Sequence, residues 1–327
     1  MTASREIHLV RRPRGLPKPE DFAVVATTIA DPEDGEILVQ NLLMSVDPYM
    51  RPRFNGDQAL NEALIGGGIG RVIASRNPKF AEGDIVRHGA GMRERFVSDG
   101  RGVAIIRADP DLPLSAHMHA LGGTGLTAYG GLLDTGRLKD GEQVFVSTAG
   151  GAVGSVAAQI AKIKGCYVVG STGSDDKAAW LRDTAGLDAV INYKTEALGP
   201  ALRAATPKGI DVYFENVGGA HLDAALTCMN PGGRIPVCGM ISTYNGGGEG
   251  VRNLFLLIYG RVTMQGFVAS DFGHLNAQFV ADMTGWLKSG QVKTQETVLD
   301  GFERAPEGLI GLFEGRNAGK MIIRVAE

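Results

Sequence analysis

A chain of 327 residues, 44% hydrophobic and 21% charged, has the composition of a globular enzyme or carrier and is too long for one ordinary core, so two domains with a cleft between them are expected. The formal net charge of -3, with no Lys/Arg block longer than Arg11-Arg12, offers no electrostatic footprint for nucleic acid or an anionic membrane. The opening residues MTASREIHLVRRPRG lack the apolar core of a secretory signal, and the longest apolar run, Leu254 to Tyr259, is too short to span a bilayer, so a cytoplasmic protein is expected.

From Glu36 to Gly100 the chain reads as short apolar stretches, EILVQNLLMSVD, GIGRVIASR, GDIVRHG and RERFVS, separated by Gly, Pro and Asp. That spacing predicts a small, irregular β-barrel-like domain. A polar turn opens at Pro110 to Pro113, and after Gly141 strands and helices alternate. Strands are expected over 143–147, 167–171, 189–192, 210–215, 234–238 and 262–267, with helices over 153–164, 176–184, 196–205, 220–229 and 253–259 between them. Six strands with intervening helices define a parallel, doubly wound α/β sheet, because each parallel crossover needs a helix's length of chain. A last helix over 274–287 leads to the tail LIGLFEGRNAGKMIIRVAE, whose strand MIIRV is expected to return to the first domain. The expected division is therefore 1–120 with 292–327, and 121–291.

The 47 glycines follow no fixed period, so they mark turns and close backbone approach to a ligand. Cys166, Cys228 and Cys238 cannot build a disulfide framework, and each lies in or beside an apolar stretch, which reads as a structural thiol.

FVSTAGGAVGSVAAQIAK places a glycine turn between the first strand and first helix of the alternating region. Against the pattern GxGxxG, Ala149 replaces the first Gly, Gly151 is the second and Gly154 the third, with Gly150, Ala152 and Val153 in the same turn. Gly151 would let the backbone approach a pyrophosphate at the positive end of the helix, and Gly154 would let helix and sheet pack closely. An NAD site carries an acidic residue about twenty positions further on. Here that position is Ser171, and Ser171, Thr172 and Ser174 offer hydroxyls and Lys177 a cation, which suits the 2′-phosphate of NADP(H). Asp175 and Asp176, at a helix start, read as its cap and dipole partners.

With this turn after the first of six strands, and a glycine-rich domain before it, the chain resembles the medium-chain dehydrogenase/reductase superfamily. It is most similar to the branch of leukotriene B4 12-hydroxydehydrogenase/prostaglandin reductase, plant alkenal double-bond reductases and bacterial curcumin reductase-like enzymes. The carriers are RPRGLPKPEDF from Arg12, SVDPYMR at Ser45 to Arg51, GRVIASRNPKFAEGD from Gly70, GLTAYGGL at Gly125 to Leu132, the glycine turn, INYK at Ile191 to Lys194, ENVGG from Glu215, CGMISTYN from Cys238 and GRNAGK from Gly315. The resemblance implies a six-stranded Rossmann domain plus a GroES-like β-rich domain, and a homodimer. It also implies that Lys177, Tyr193 and Ser174 meet the 2′-phosphate, that Asn216 lies near the ribose or nicotinamide and Asn317 near the phosphate-nicotinamide half, and that Thr127 and Cys238 belong to the cofactor site. Tyr49, Tyr244 and Tyr259 would face the substrate or nicotinamide. Two segments depart from relatives: Gly123-Thr124 stands where Met-Pro is frequent before GLTAY, and GMRERF at Gly91 to Phe96 replaces a GW(Q/E)EY-like segment.

The chain has no Cys before Cys166, and His117 and His119, two apart, have no acidic or thiol partner, so no zinc site is expected. His8, His88, His221 and His274 are isolated and read as surface or satisfied structural residues. Without a Lewis acid, reduction of a conjugated C=C is the easier chemistry, because hydride adds to the β carbon and the charge spreads into an enolate that a hydroxyl can stabilise. The expected activity is NADPH-dependent reduction of α,β-unsaturated ketones or aldehydes, with Tyr259 as hydrogen-bond donor or proton source and Tyr49 second. Two alternatives stand beside it: an NADPH:quinone oxidoreductase, and a crystallin-like or sensor protein that binds NADPH without turnover.

Overall fold

The computed structural model describes residues 1–248 and 250–326. The chain divides into two compact units, one comprising Met1–Met118, Glu296–Asn317 and the chain from Met321, the other His119–Gln295 with Ala318–Lys320.

The first unit opens with β1 (Thr2–Leu9) and β2 (Phe22–Ile29), an antiparallel pair in register from Thr2 opposite Ile29 to Leu9 opposite Phe22. Neither strand was legible in the apolar spacing, because charged and basic residues interrupt β1 and the Pro-rich segment separates the two. The apolar stretches that were legible become β3 (Ile37–Ser45), β4 (Gly68–Ser75), β5 (Ile85–His88) and β6 (Arg95–Ser98), with the short helix α1 (Met50–Arg53) after β3 and the two-residue β7 (Ala104–Ile105) last.

The second unit begins with α2 (Gly123–Gly130) and then alternates: β8 (Gln143–Val146), α3 (Ala152–Ile163), β9 (Tyr167–Thr172), α4 (Asp175–Asp183), β10 (Ala189–Asn192), α5 (Leu198–Ala205), β11 (Ile210–Phe214), α6 (Gly219–Leu226), β12 (Met229–Val237), α7 (Leu256–Gly260), β13 (Thr263–Gly266) and α8 (Asn276–Lys288). Among the described residues the six strands form one parallel sheet in the order β10-β9-β8-β11-β12-β13, the doubly wound order with its reversal between β8 and β11. The buried core stacks Phe145 of β8 on Tyr213 of β11 at 4.8 Å, with Val169, Ile191 and Leu222 around them. The helix expected over 253–259 begins only at Leu256, because Asp223 Oδ1 accepts the amides of Arg252 and Asn253 and holds them outside it. The strand expected over 234–238 starts earlier, at Met229.

The chain closes with β14 (Glu296–Asp300), α9 (Ala305–Glu314) and β15 (Lys320–Arg324). β15 pairs antiparallel with β3 and extends the first unit's sheet to β14-β15-β3-β4-β5-β7, with β6 on the other part of β3. Ile7, Leu9, Met44, Phe54, Leu309 and Ile323 share its largest buried cluster. Among the described residues no helix is long and apolar enough to cross a membrane.

Candidate functional site

The turn between β8 and α3 is built to keep side chains out. A Cβ on Gly154 would lie 2.3 Å from the Thr148 carbonyl, and one on Gly150 would lie 3.1 Å from both Lys177 Cδ and Thr172 Oγ1. Thr148 itself holds φ +51, a left-handed conformation that is strained for a β-branched residue and clusters at ligand sites. Gly151 caps α3 with no side-chain hydrogen bond, so the first turn, Ala152 and Val153 included, presents the helix's positive end. Ala149 fits where the pattern has glycine because β9 supplies Gly170 opposite it; a Cβ there would stand 2.8 Å from the Ala149 methyl. Two remote residues fix the turn: His119 Nε2 bonds the Ala152 carbonyl at 2.9 Å, and the Gly319 amide donates to the Gly150 carbonyl at 3.0 Å.

Beside this turn, the end of β9 carries no acidic residue. Ser171 is fully buried and its hydroxyl has no partner, so it does not present a donor at the surface as expected. Ser174 caps α4 by accepting the Lys177 amide at 3.3 Å. That corrects the assignment of the cap to Asp175 and Asp176: both lie inside the first turn, and Asp175 Oδ1 accepts from Asn192 Nδ2 at 2.7 Å. A Cβ on Gly173 would meet the Tyr193 hydroxyl at 2.8 Å and Lys194 Cε at 3.3 Å. Burial, with Lys194 nearby, pulls the Lys177 ammonium below its ordinary range. The structure thus brings Gly150, Thr172, Lys177, Tyr193 and Lys194 together. Lys194 was missed, although it ends the INYK motif; the signal was a second cation two strands from the glycine turn. Behind Tyr193, His221 packs edge-on at 4.9 Å and 84°. His221 is 6% exposed, Nε2 has no partner, and burial depresses its pKa to about 4, so it is not the satisfied histidine expected.

At the reversal point, Asn216 follows β11 and is held to Ser147 through its amide and its side-chain nitrogen, at 2.9 and 2.7 Å. Glu215, fully buried, accepts from Ser147 Oγ and from the Val217 amide. Burial and that carboxylate push the half-buried Cys238 thiol up to about 12. The Tyr244 hydroxyl accepts the Met240 amide at 3.3 Å. Thr127 Oγ1 donates to the Gly123 carbonyl within α2.

Tyr259, on α7, is 74% exposed and lies edge-on to Phe255. In the first unit, Tyr49 starts α1, is half exposed, and its phenol is pushed up to about 12 by burial and the Asp47 charge. Asn317 is buried at the end of the first unit's second segment. Among the described residues no group of three or more His, Cys, Asp or Glu side chains is placed to hold a metal ion.

A doubly wound sheet with a glycine turn at its first crossover, joined to a β-rich unit, defines a two-domain nucleotide-dependent oxidoreductase. Residues 5–106 match the family described as the N-terminal domain of oxidoreductase, and residues 152–285 the family described as zinc-binding dehydrogenase. The chain is 42% identical to the 2-alkenal reductase (NADP(+)-dependent) of Nicotiana tabacum, over 99% of this chain and 98% of that one. It is 40% identical to prostaglandin reductase 1 of Mus musculus, over 99% and 100%. The crystal structure of CurA in complex with NADPH from Vibrio vulnificus superposes with a TM-score of 0.93 at 39% identity, covering 99% of each chain. The chain belongs to the medium-chain dehydrogenase/reductase superfamily, in the branch of the alkenal and prostaglandin reductases.

Proposed function

We propose that this chain reduces the C=C bond of α,β-unsaturated ketones and aldehydes with NADPH. The observation that carries the reading is the pair Lys177 and Lys194 beside Thr172 and Tyr193, where an NAD-specific site would hold a carboxylate. The cradle fits that cofactor. Gly151, which caps α3 without a side chain, leaves the helix's N-terminal amides for a pyrophosphate, Gly154 lets α3 pack closely on the turn, and the two ammonium groups suit an added phosphate. The named activities of the tobacco and mouse relatives, and the NADPH in CurA, agree with it.

When bound, NADPH supplies a hydride to the β carbon. The chain's own residues then have two tasks: to hold the nicotinamide half, a role assigned to Asn216, Tyr244, Thr127 and Cys238 of the second unit and, separately, to Asn317 of the first, and to stabilise and protonate the enolate. Tyr259 is the donor we assign to the enolate, with Tyr49 second. Burial and the Asp47 charge hold the Tyr49 hydroxyl in its protonated form, able to donate a hydrogen bond at neutral pH. In this reading hydrogen bonding by these hydroxyls polarises the carbonyl.

The discontinuous β-rich unit is the substrate domain of this proposal and the doubly wound unit the cofactor domain. The working assembly is a homodimer. Its support is β13, an edge strand whose four residues, Met264 among them, are all exposed, with exposed Val268 shortly after it, an arrangement a second copy would cover. A reducing, cytoplasmic compartment suits the unbridged cysteines. The test is turnover of 3-nonen-2-one and of a benzoquinone with NADPH and NADH in parallel. Oxidation of NADPH by the enone, well above NADH, supports the reading; quinone turnover alone, or tight binding with no oxidation, rejects it.

A further inference from the structure

We propose that Arg51 is a positioning residue for Tyr49, fixing the turn that carries the phenol by holding the carbonyls of the segment around Gly15. The SVDPYMR and RPRGLPKPEDF motifs are thereby one device.

Arg51 is 2% exposed. Its Nη2 donates to the carbonyls of Pro13 at 3.2 Å and Gly15 at 2.9 Å, Nε donates to Gly15 at 3.3 Å, and Nη1 donates to Asn55 Oδ1 at 2.9 Å. The 13–15 segment is anchored in turn. Arg11 Nε and the Lys18 amide both bond the buried carboxylate of Asp21, and Arg12 Nη1 reaches back to the Phe54 carbonyl just past α1. Asp21 also supplies the opposite charge that Arg51 feels in its buried site.

The four residues of α1 are too few to hold a helical turn alone, since helix nucleation is unfavourable and propagation has no length over which to repay it. Two kinds of contact set the turn instead: Met50 and Phe54, both fully buried, fix its depth, and Arg51 fixes its rotation against a neighbouring backbone. Tyr49, the residue before α1, points wherever that rotation sends it. A guanidinium suits the task because its donors form a rigid planar fork able to serve several carbonyls at once; a lysine ammonium on a flexible stem cannot reproduce that geometry.

The inference rests on the reading of Tyr49 as a substrate-side donor, and a double-mutant cycle separates the two. The full chain carrying Y49F, R51K or both is assayed for kcat with an enone and NADPH, with NADPH affinity measured by fluorescence. Y49F is expected to lower kcat about tenfold, R51K by a similar factor with NADPH affinity unchanged, and the double variant no further than the worse single one. N55A, which removes one partner of the same guanidinium, provides a milder step if R51K does not fold: a kcat loss of about threefold that vanishes in the Y49F background. Effects of R51K or N55A that multiply with Y49F overturn the positioning role, as does an R51K enzyme with wild-type kcat while Y49F is impaired. An unimpaired Y49F enzyme overturns the reading of Tyr49 itself, and the inference with it.

Discussion

The amide of Gly319 donates to the carbonyl of Gly150 at 3.0 Å, so a residue of the C-terminal GRNAGK motif closes the glycine turn at the head of α3. The same residue sits at φ +62, and a Cβ there would stand 1.8 Å from the Gln295 carbonyl. G319A is therefore expected to destabilise the fold by about 2 kcal/mol or more and to weaken NADPH binding about tenfold, since the turn must shift to admit a methyl group. Thermal melts with and without NADPH check both effects. An unchanged melting temperature with unchanged cofactor stabilisation contradicts the role.

K194A and K177A should each weaken NADPH by about tenfold to thirtyfold, corresponding to roughly 1.5–2 kcal/mol for a charge-assisted contact to phosphate, while leaving NADH affinity within about twofold. The pH dependence follows from the lowered Lys177 pKa. A cation is needed to hold the phosphate, and Lys177 loses its proton at lower pH than an ordinary lysine. NADPH affinity should therefore fall as pH rises through the alkaline range toward 10.5, the ordinary lysine value, and NADH affinity should not. Calorimetric titrations across that range decide it.

The cluster of Lys177 and Lys194 shows how far the sequence could be read. The alternation of strands and helices was legible because apolar periodicity is local, and β10 falls on the expected 189–192. The glycine turn was legible for the same reason. Lys194 was not, because its closeness to Lys177 depends on strand order, which places β10 beside β9. Gly319 and Gly150 meet only through a chain return that no periodicity encodes. The buried hydroxyl of Ser171 turned on which face of β9 it occupies, and in a strand buried on both faces alternation carries no such information.

His88 and His221 make the fold acid-sensitive. Both are depressed from 6.5 to about 4 by burial. The Ala90 amide donates to His88 Nδ1 and Asn41 Oδ1 bonds Nε2, so the ring is held neutral and a second proton would break the Ala90 bond. A base whose folded pKa is depressed leaves the unfolded chain to bind the proton first. Stability is complete above about pH 6.5 and is lost progressively down to about pH 4, by up to roughly 3 kcal/mol for each histidine. Urea midpoints should fall across that window, and H221F, which keeps the edge-on contact with Tyr193, should remove part of the slope. A slope unaltered in H221F would contradict it.

The exposed edge of β13 should be where copies meet. M264K places a charge on that edge and should shift the assembly toward monomer in sedimentation at micromolar concentration, with the fold intact by circular dichroism. A wild-type chain that sediments as a monomer would dispose of the dimer.

Y259F should lower kcat with an enone about tenfold or more while changing NADPH affinity little, because in the proposed reaction the hydroxyl serves the reacting substrate. Unchanged kcat across pH would remove Tyr259 from the chemistry.

The chemistry itself is read most directly by isotope. Deuterium carried on the nicotinamide C4 of NADPH, followed by NMR of the product of 3-nonen-2-one, should appear on the β carbon of the saturated ketone, with a solvent proton on the α carbon. Deuterium on the carbonyl carbon of an allylic alcohol, or its retention in the cofactor with no product formed, would show that this chain does not reduce conjugated C=C bonds.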